Sequence, residues 1–186
     1  MRDNAVIVSL AIKTVETPLG PLMLVADDEG FLRAADFADY ESRMLRLLDR
    51  RIGQSRYTLL GGNVPVAITS ALNAYFAGAL DAIRHIPLRT NGSTFQNRIW
   101  TALRAIAPGH SMSYSALARE LGCPQSARAV GHANGANPFS IIVPCHRLVG
   151  ANGSLTGYAG GIERKRWLLD HEARNAALGA GLKAGI

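Results

Sequence analysis

Cysteine is scarce in this chain: 186 residues hold two, Cys123 and Cys145, and the first 122 hold none. Two thiols cannot frame a chain of this length. That excludes a disulfide scaffold and makes a reducing compartment, the cytoplasm, the expectation. Long apolar runs are missing as well. The segment 5–12 is far shorter than the roughly 20 residues that cross a bilayer, so it reads as a strand and no membrane partner is expected. Lys13 and Glu16 follow it without a small-residue cleavage site, which argues against an export signal. No internal repeat, glycine-rich dinucleotide or phosphate loop, or methyl-donor signature is visible, so no cofactor is expected. Acidic residues are outnumbered, 14 against 20 Lys and Arg, giving a net charge of +6. That balance favours polyanions, because cations that neutralise phosphates release counterions. With 48% hydrophobic and 18% charged residues, the chain has the composition of a globular protein rather than a disordered one.

Two turns, Thr17-Pro18-Leu19-Gly20 and Asp27-Asp28-Glu29-Gly30, separate three apolar stretches and predict a β-meander. Residues 40–52 place Met44, Leu45, Leu47, Leu48 and Ile52 at helical spacing, and Gly53 stops the helix. A second helix is predicted from Pro65 to about Leu80, and a strand over 83–88. The polar run Arg89-Thr90-Asn91-Gly92-Ser93 marks a domain boundary, giving an N-terminal α/β domain (1–90) and a second domain (91–174). An Ala- and Gly-rich tail over 175–186 is expected to fray.

Beyond the boundary, Thr94 is predicted to cap a helix carrying Phe95, Ile99, Leu103 and Ile106 on one face. Ser113 caps a second helix to Leu121, and Ser126 a third to about Gly135, which Asn137-Pro138 ends. Ile141-Ile142-Val143 reads as a short buried strand leading into Pro144-Cys145, and a last helix should end near Glu172.

The second and third of these helices fit a helix-turn-helix, although the pattern also suits an αα-hairpin. The third helix is almost all small: Ala127, Ala129, Val130, Gly131, Ala133 and Gly135. Such a helix lets its backbone approach another surface closely. Readers of the major groove carry several long polar side chains instead. If the surface is DNA, the pattern implies sequence-independent contact, in the minor groove.

Chemistry concentrates at Pro144-Cys145-His146-Arg147. A free thiol of pKa about 8.5 is only a few per cent thiolate at neutral pH, so a nucleophilic Cys145 needs a base or a positive neighbour. His146 stands beside it in sequence, and contact through a bend or a bridging water is the expectation.

The run from Asn137 to Gly150 resembles the active-site segment of the O6-alkylguanine-DNA alkyltransferases. Tyr114-Ser115-Ala116-Leu117-Ala118, Ala127-Arg128-Ala129-Val130-Gly131, Gly157-Tyr158-Ala159-Gly160-Gly161 and the block from Lys165 to Glu172 resemble further family segments in the same order. The likeness is dense over 94–172 and general over 1–90. It implies an α/β (α+β) chain, with a ribonuclease H-like sheet-and-helix domain before a mostly helical, winged-helix-like domain. The implied activity moves an alkyl group from O6-alkylguanine, and O4-alkylthymine, in duplex DNA onto Cys145, once per molecule, with the base flipped out of the stack. By the same resemblance His146 and Glu172 activate Cys145, Tyr114 protonates the leaving base, and Asn137 links the active-site turn to the helix-turn-helix. Arg128 acts as the intercalating finger, with Ala127, Gly131, Tyr114 and Ser115 at the DNA. Tyr158, Ala159 and Leu148 line the base pocket. Ala159 stands where family members often carry serine, so a backbone N–H contact survives and a hydroxyl contact does not. Some members hold zinc through N-terminal cysteines. None precedes Cys123 here, so no metal is expected, and a monomer is. A multi-turnover cysteine hydrolase, a non-catalytic binder of damaged DNA and a transcriptional regulator remain as alternatives.

Overall fold

A computed structural model describes residues 7–183. The first two residues of the segment 5–12, and the last three of the tail, lie outside them. The meander is present: β1 (Val8–Val15), β2 (Leu22–Asp27) and β3 (Leu32–Phe37) pair antiparallel in sequence order. A fourth strand, β4 (Tyr57–Gly61), was not expected. It adds parallel to the free edge of β1, giving the order β3-β2-β1-β4. Strand alternation sorts the central sheet. Leu22, Leu24 and Ala26 face one cluster, while Met23 and Val25 face another that includes Met44 and Leu48 of α1 (Glu41–Ile52). The sheet is therefore covered on both faces.

The larger cluster does not stop at residue 90. It joins Ile68, Leu72 and Tyr75 of α2 (Val66–Phe76) to Ile99, Trp100 and Leu103 of α3 (Thr94–Ala105). It then continues to Leu117 of α4 (Tyr114–Glu120), Val130 of α5 (Ala127–Gly135) and Leu168 of α6 (Ile162–Lys183). Trp100 also donates its indole N–H to the Ala133 carbonyl at 3.0 Å, pinning α3 to α5. A two-stranded parallel pair, β5 (Met112–Ser113) and β6 (Leu148–Val149), ties the start of α4 to the end of the Cys145 segment.

Several local expectations are corrected. Residues 83–88 do not form a strand. A 3-10 turn spans Ala82–His85, and only Leu88 bridges to Leu32, beside a Pro87 that has no N–H for a ladder. Ser93 rather than Thr94 caps α3, through a capping box with Gln96. Ser126 makes no side-chain cap, because it already lies in the 3-10 turn Pro124–Ser126. Helix α6 continues past Glu172 to Lys183 instead of fraying, with Ala176 packed against the large cluster. Ile141-Ile142-Val143 is buried but wound into turns, with Ile141 at φ +72°.

Candidate active site

That winding positions Cys145. Val143 N donates to the Phe139 carbonyl at 3.0 Å and Cys145 N to Val143 O at 2.7 Å, so the chain doubles back before the 3-10 turn Cys145–Arg147. A β-branched residue enters positive φ only when its surroundings force it. Asn137 supplies much of the constraint. Its Oδ1 accepts from Phe139 N and its Nδ2 donates to Val143 O, both at 2.9 Å. The sheet grips the other side: Ala35 N donates to Pro138 O and Ser140 N to Ala35 O, both at 2.8 Å. Ser140 Oγ donates to Asp36 Oδ1 at 2.9 Å. Arg43 pairs with the other Asp36 oxygen and donates to the carbonyls of Gly135 and Asn137 at 2.8 and 2.9 Å.

His146 is fully buried, and its Nε2 lies 2.9 Å from Glu172 Oε1. Glu172 is itself buried and well supplied with donors. The Tyr75 hydroxyl (2.9 Å), Arg147 Nε and Nη2 (2.9 and 2.8 Å) and Gly109 N (3.3 Å) all reach it. Burial alone would raise its pKa, but the His146 contact and the Arg147 guanidinium hold the carboxyl well below the usual range. A carboxylate only accepts, so His146 Nε2 carries the proton and Nδ1 is left as an acceptor. Burial also lowers the His146 pKa, against the pull of Glu172, which favours the neutral ring. Nδ1 is buried with no protein partner.

Cys145 is 5% exposed, and burial pushes its thiol pKa up. The Asn137 amide and the charges of Arg43 and Lys165 oppose that rise, while Asp36 adds to it. Lys165 is fully buried. Its ammonium donates to the Leu148 and Thr156 carbonyls rather than to a carboxylate. Burial lowers the Lys165 pKa, and the ionised Cys145 opposes that.

An open cavity of about 600 Å³ brings together Tyr114, Ala127, Arg128, Gly131, Tyr158 and Ala159, with Thr156, Gly157 and Gly135 completing its lining. The phenols of Tyr114 and Tyr158 both have raised pKa values, first through burial and then through the charge on Cys145, a residue that does not itself line this cavity. Tyr114 Oη sits 3.4 Å from Thr156 O, and the Tyr158 hydroxyl is buried without a partner. Not every expected residue gathers here. Leu148 lies in the core on β6, with its carbonyl turned to Lys165, and Ser115 hydrogen-bonds Ser113 at 3.1 Å. Among the described residues, no group of three His, Cys, Asp or Glu side chains could hold a metal ion.

Four supporting residues escaped the sequence reading. Arg147 and Lys165 stand inside motifs that were recognised, as a basic neighbour of His146 and the first residue of the closing block. Tyr75 and Arg43 come from helices of the N-terminal half and carried no motif.

Comparison with known proteins agrees with this geometry. Residues 94–174 match the family described as 6-O-methylguanine DNA methyltransferase, DNA binding domain, and residues 10–90 its ribonuclease-like domain. A methylated-DNA–protein-cysteine methyltransferase of Shigella flexneri is 48% identical over 158 residues, covering 85% of this chain and 92% of the relative. Its counterpart in Mycobacterium tuberculosis strain H37Rv is 43% identical over 166 residues, covering 88% and 93%. The crystal structure of Mycobacterium tuberculosis OGT in complex with DNA superposes with a TM-score of 0.72 at 39% identity, covering 90% of this chain and 94% of that one. With both halves matched in order and relatives 43–48% identical over most of its length, the chain belongs to the 6-O-methylguanine DNA methyltransferase family.

Proposed function

We propose that this chain repairs duplex DNA by transferring the alkyl group of O6-alkylguanine, and of O4-alkylthymine, to Cys145, as a monomer acting once per molecule. The observation that carries the reading is the buried Cys145 turn. Its neighbour His146 is fixed by Glu172 so that an unprotonated Nδ1 stays free inside the protein, and the His146 ring meets the ring of Tyr158, a wall of the apolar cavity on α5, edge-on at 6.3 Å.

The chemistry follows from these groups. The thiol gives its proton to His146 Nδ1, through one bridging water, and Glu172 stabilises the imidazolium. The thiolate attacks the sp³ alkyl carbon from the side opposite O6. The S–C bond forms, the C–O6 bond breaks, and the bond pair leaves with the purine. Tyr114 donates its hydroxyl proton to that anion, and the proton that His146 took from Cys145 passes through water to the Tyr114 phenolate, so both groups end neutral. A thioether does not hydrolyse, and no group here attacks it, so the sulfur is spent. The target atom is inaccessible in stacked duplex, so the nucleotide must swing into the cavity. Arg128 at the start of α5 fills the gap, and the small residues Ala127 and Gly131 let the backbone enter the minor groove. Tyr158 and Ala159 flank the flipped base. The same reading divides the chain at 90/91 into a supporting α/β domain and an alkyltransferase domain.

The test is intact-protein mass spectrometry after mixing with duplex bearing O6-methylguanine. One methyl per protein, on the peptide containing Cys145, is expected. Repaired DNA with unmodified protein, or methylation that persists in Cys145→Ala, would overturn the proposal and favour a hydrolase.

A further inference from the structure

Helix α5 has two flanks. One forms a wall of the tyrosine-lined cavity. The other borders a second groove, lined by Arg43, Arg46 and Arg50 of α1 together with Arg128 and His132 of α5. Arg128, Gly131 and Gly135 belong to both, so α5 is the ridge between them. No residue lining the second groove is acidic.

Two of its α1 cations have no structural duty. Arg43 is committed to Asp36 and to backbone carbonyls. Among the described residues, Arg46 and Arg50 make no ion pair and no side-chain hydrogen bond, and both are exposed. They stand four residues apart on one helix face, where like charges destabilise a helix. Arg51, one position on, shows the contrast. It stacks on Trp100 and donates to the Thr90 and Ala136 carbonyls.

We infer that this groove on α1 is a second DNA contact, which holds backbone phosphates of the same duplex through Arg46 and Arg50. The inference rests on the proposed docking of α5. A helix laid in a minor groove about 6 Å wide has a sugar-phosphate wall along each flank. On the cavity side the wall carries the flipped nucleotide. On the other side it runs past α1, where unpaired guanidinium groups match phosphate geometry. The contact is blind to sequence. It gives the N-terminal half a binding role besides that of supporting the site.

The test measures the affinity of an undamaged duplex oligonucleotide across salt concentrations. It compares wild type, Arg46→Ala/Arg50→Ala, Arg128→Ala, and a charge-matched control, Lys13→Ala/Arg166→Ala, whose cations lie outside the groove. Melting temperatures check that each variant is folded. Loss of two phosphate contacts should make the log–log salt slope shallower by about 1.8. The affinity gap to wild type should then narrow about twelvefold between 50 and 200 mM salt. A slope unchanged in the Arg46/Arg50 variant, or changed equally in the control, overturns the inference. If wild type fails to bind duplex at all, the underlying reading of α5 fails with it. If only Arg128→Ala weakens binding, that reading stands and the second contact falls.

Discussion

Replacing Glu172 with Gln tests the buried chain from Cys145 outward, because it keeps the shape and removes one charge. Glu172 accepts from five donors: Arg147 twice, His146, Tyr75 and Gly109 N. Glutamine offers one acceptor oxygen and turns an NH2 toward donors that have nothing to give it. Arg147 is 4% exposed and would lose the only carboxylate it pairs with among the described residues. An unpaired buried charge costs about 3–5 kcal/mol, and a domain of this size loses roughly 2–4 °C of Tm per kcal/mol. The melting temperature should therefore fall by about 6–20 °C. A separate loss concerns catalysis. Without a carboxylate at Nε2, His146 no longer holds the tautomer that leaves Nδ1 free, and general base catalysis contributes about 10²–10⁴-fold. Both should be measured below the lowered Tm, with free O6-benzylguanine as substrate so that DNA binding does not enter. A rate within threefold of wild type, beside a clearly lowered Tm, would show that Glu172 holds the fold but does not set the state of His146.

Two further outcomes are expected. In Gly131→Ala the new Cβ meets nothing nearer than Tyr114 Cδ1 at 4.0 Å, and alanine favours a helix over glycine by about 0.5–1 kcal/mol, so thermal scans should show equal or higher stability while duplex affinity falls; undiminished affinity would mean that the α5 backbone does not approach DNA. The pH dependence has three limbs of known sign. Stability supplied by His146, whose folded pKa lies below 6.5, is complete above that value and is lost as pH falls toward the lower one; the Glu172 contribution is likewise lost below 4.5. The Cys145 pKa is raised above 9.0, so its contribution is present below 9.0 and disappears at higher pH, while the alkylation rate rises with the thiolate fraction. Cys145→Ala should remove the part of the alkaline limb of a Tm–pH curve that begins near pH 9.0, leaving the part above pH 10 that the tyrosines with raised pKa values supply. An onset near pH 9.0 that survives in Cys145→Ala would contradict the assignment.

What the sequence made legible is what local pattern encodes. Turn dipeptides framed the three meander strands, and apolar spacing located α1. Ser113 was read correctly as a cap because its hydroxyl meets a backbone N–H three residues on. The failures share a cause. An apolar triplet such as Ile141-Ile142-Val143 looks the same whether it is extended or wound. The winding is imposed from outside, by Asn137 and by the bridge between Ala35 and Phe139. Residues 83–88 misled in the same way. β4 was missed because five residues at a sheet edge, none of them buried and three of them exposed, carry little apolar signal. In the active site, the groups that touch the chemistry lie in recognisable runs, whereas Tyr75 reaches Glu172 from 97 positions away.

That separation has a physical consequence. Cys145 and His146 are neighbours in sequence, and within their own segment Asn137 braces the turn they stand on. The rest of their register comes from Asp36 binding Ser140, from Arg43 binding the carbonyls of Gly135 and Asn137, and from Tyr75 binding Glu172. All three tethers originate in the N-terminal half, and one continuous apolar cluster runs through both halves. A thiol whose ionisation burial opposes is useful only if its few favourable partners stay within hydrogen-bonding distance, because a misplacement of about 1 Å can cost a hundredfold in rate. The N-terminal half, through β3, α1 and α2, is therefore a positioning frame for the site, although it contributes no residue to the proposed alkyl transfer itself.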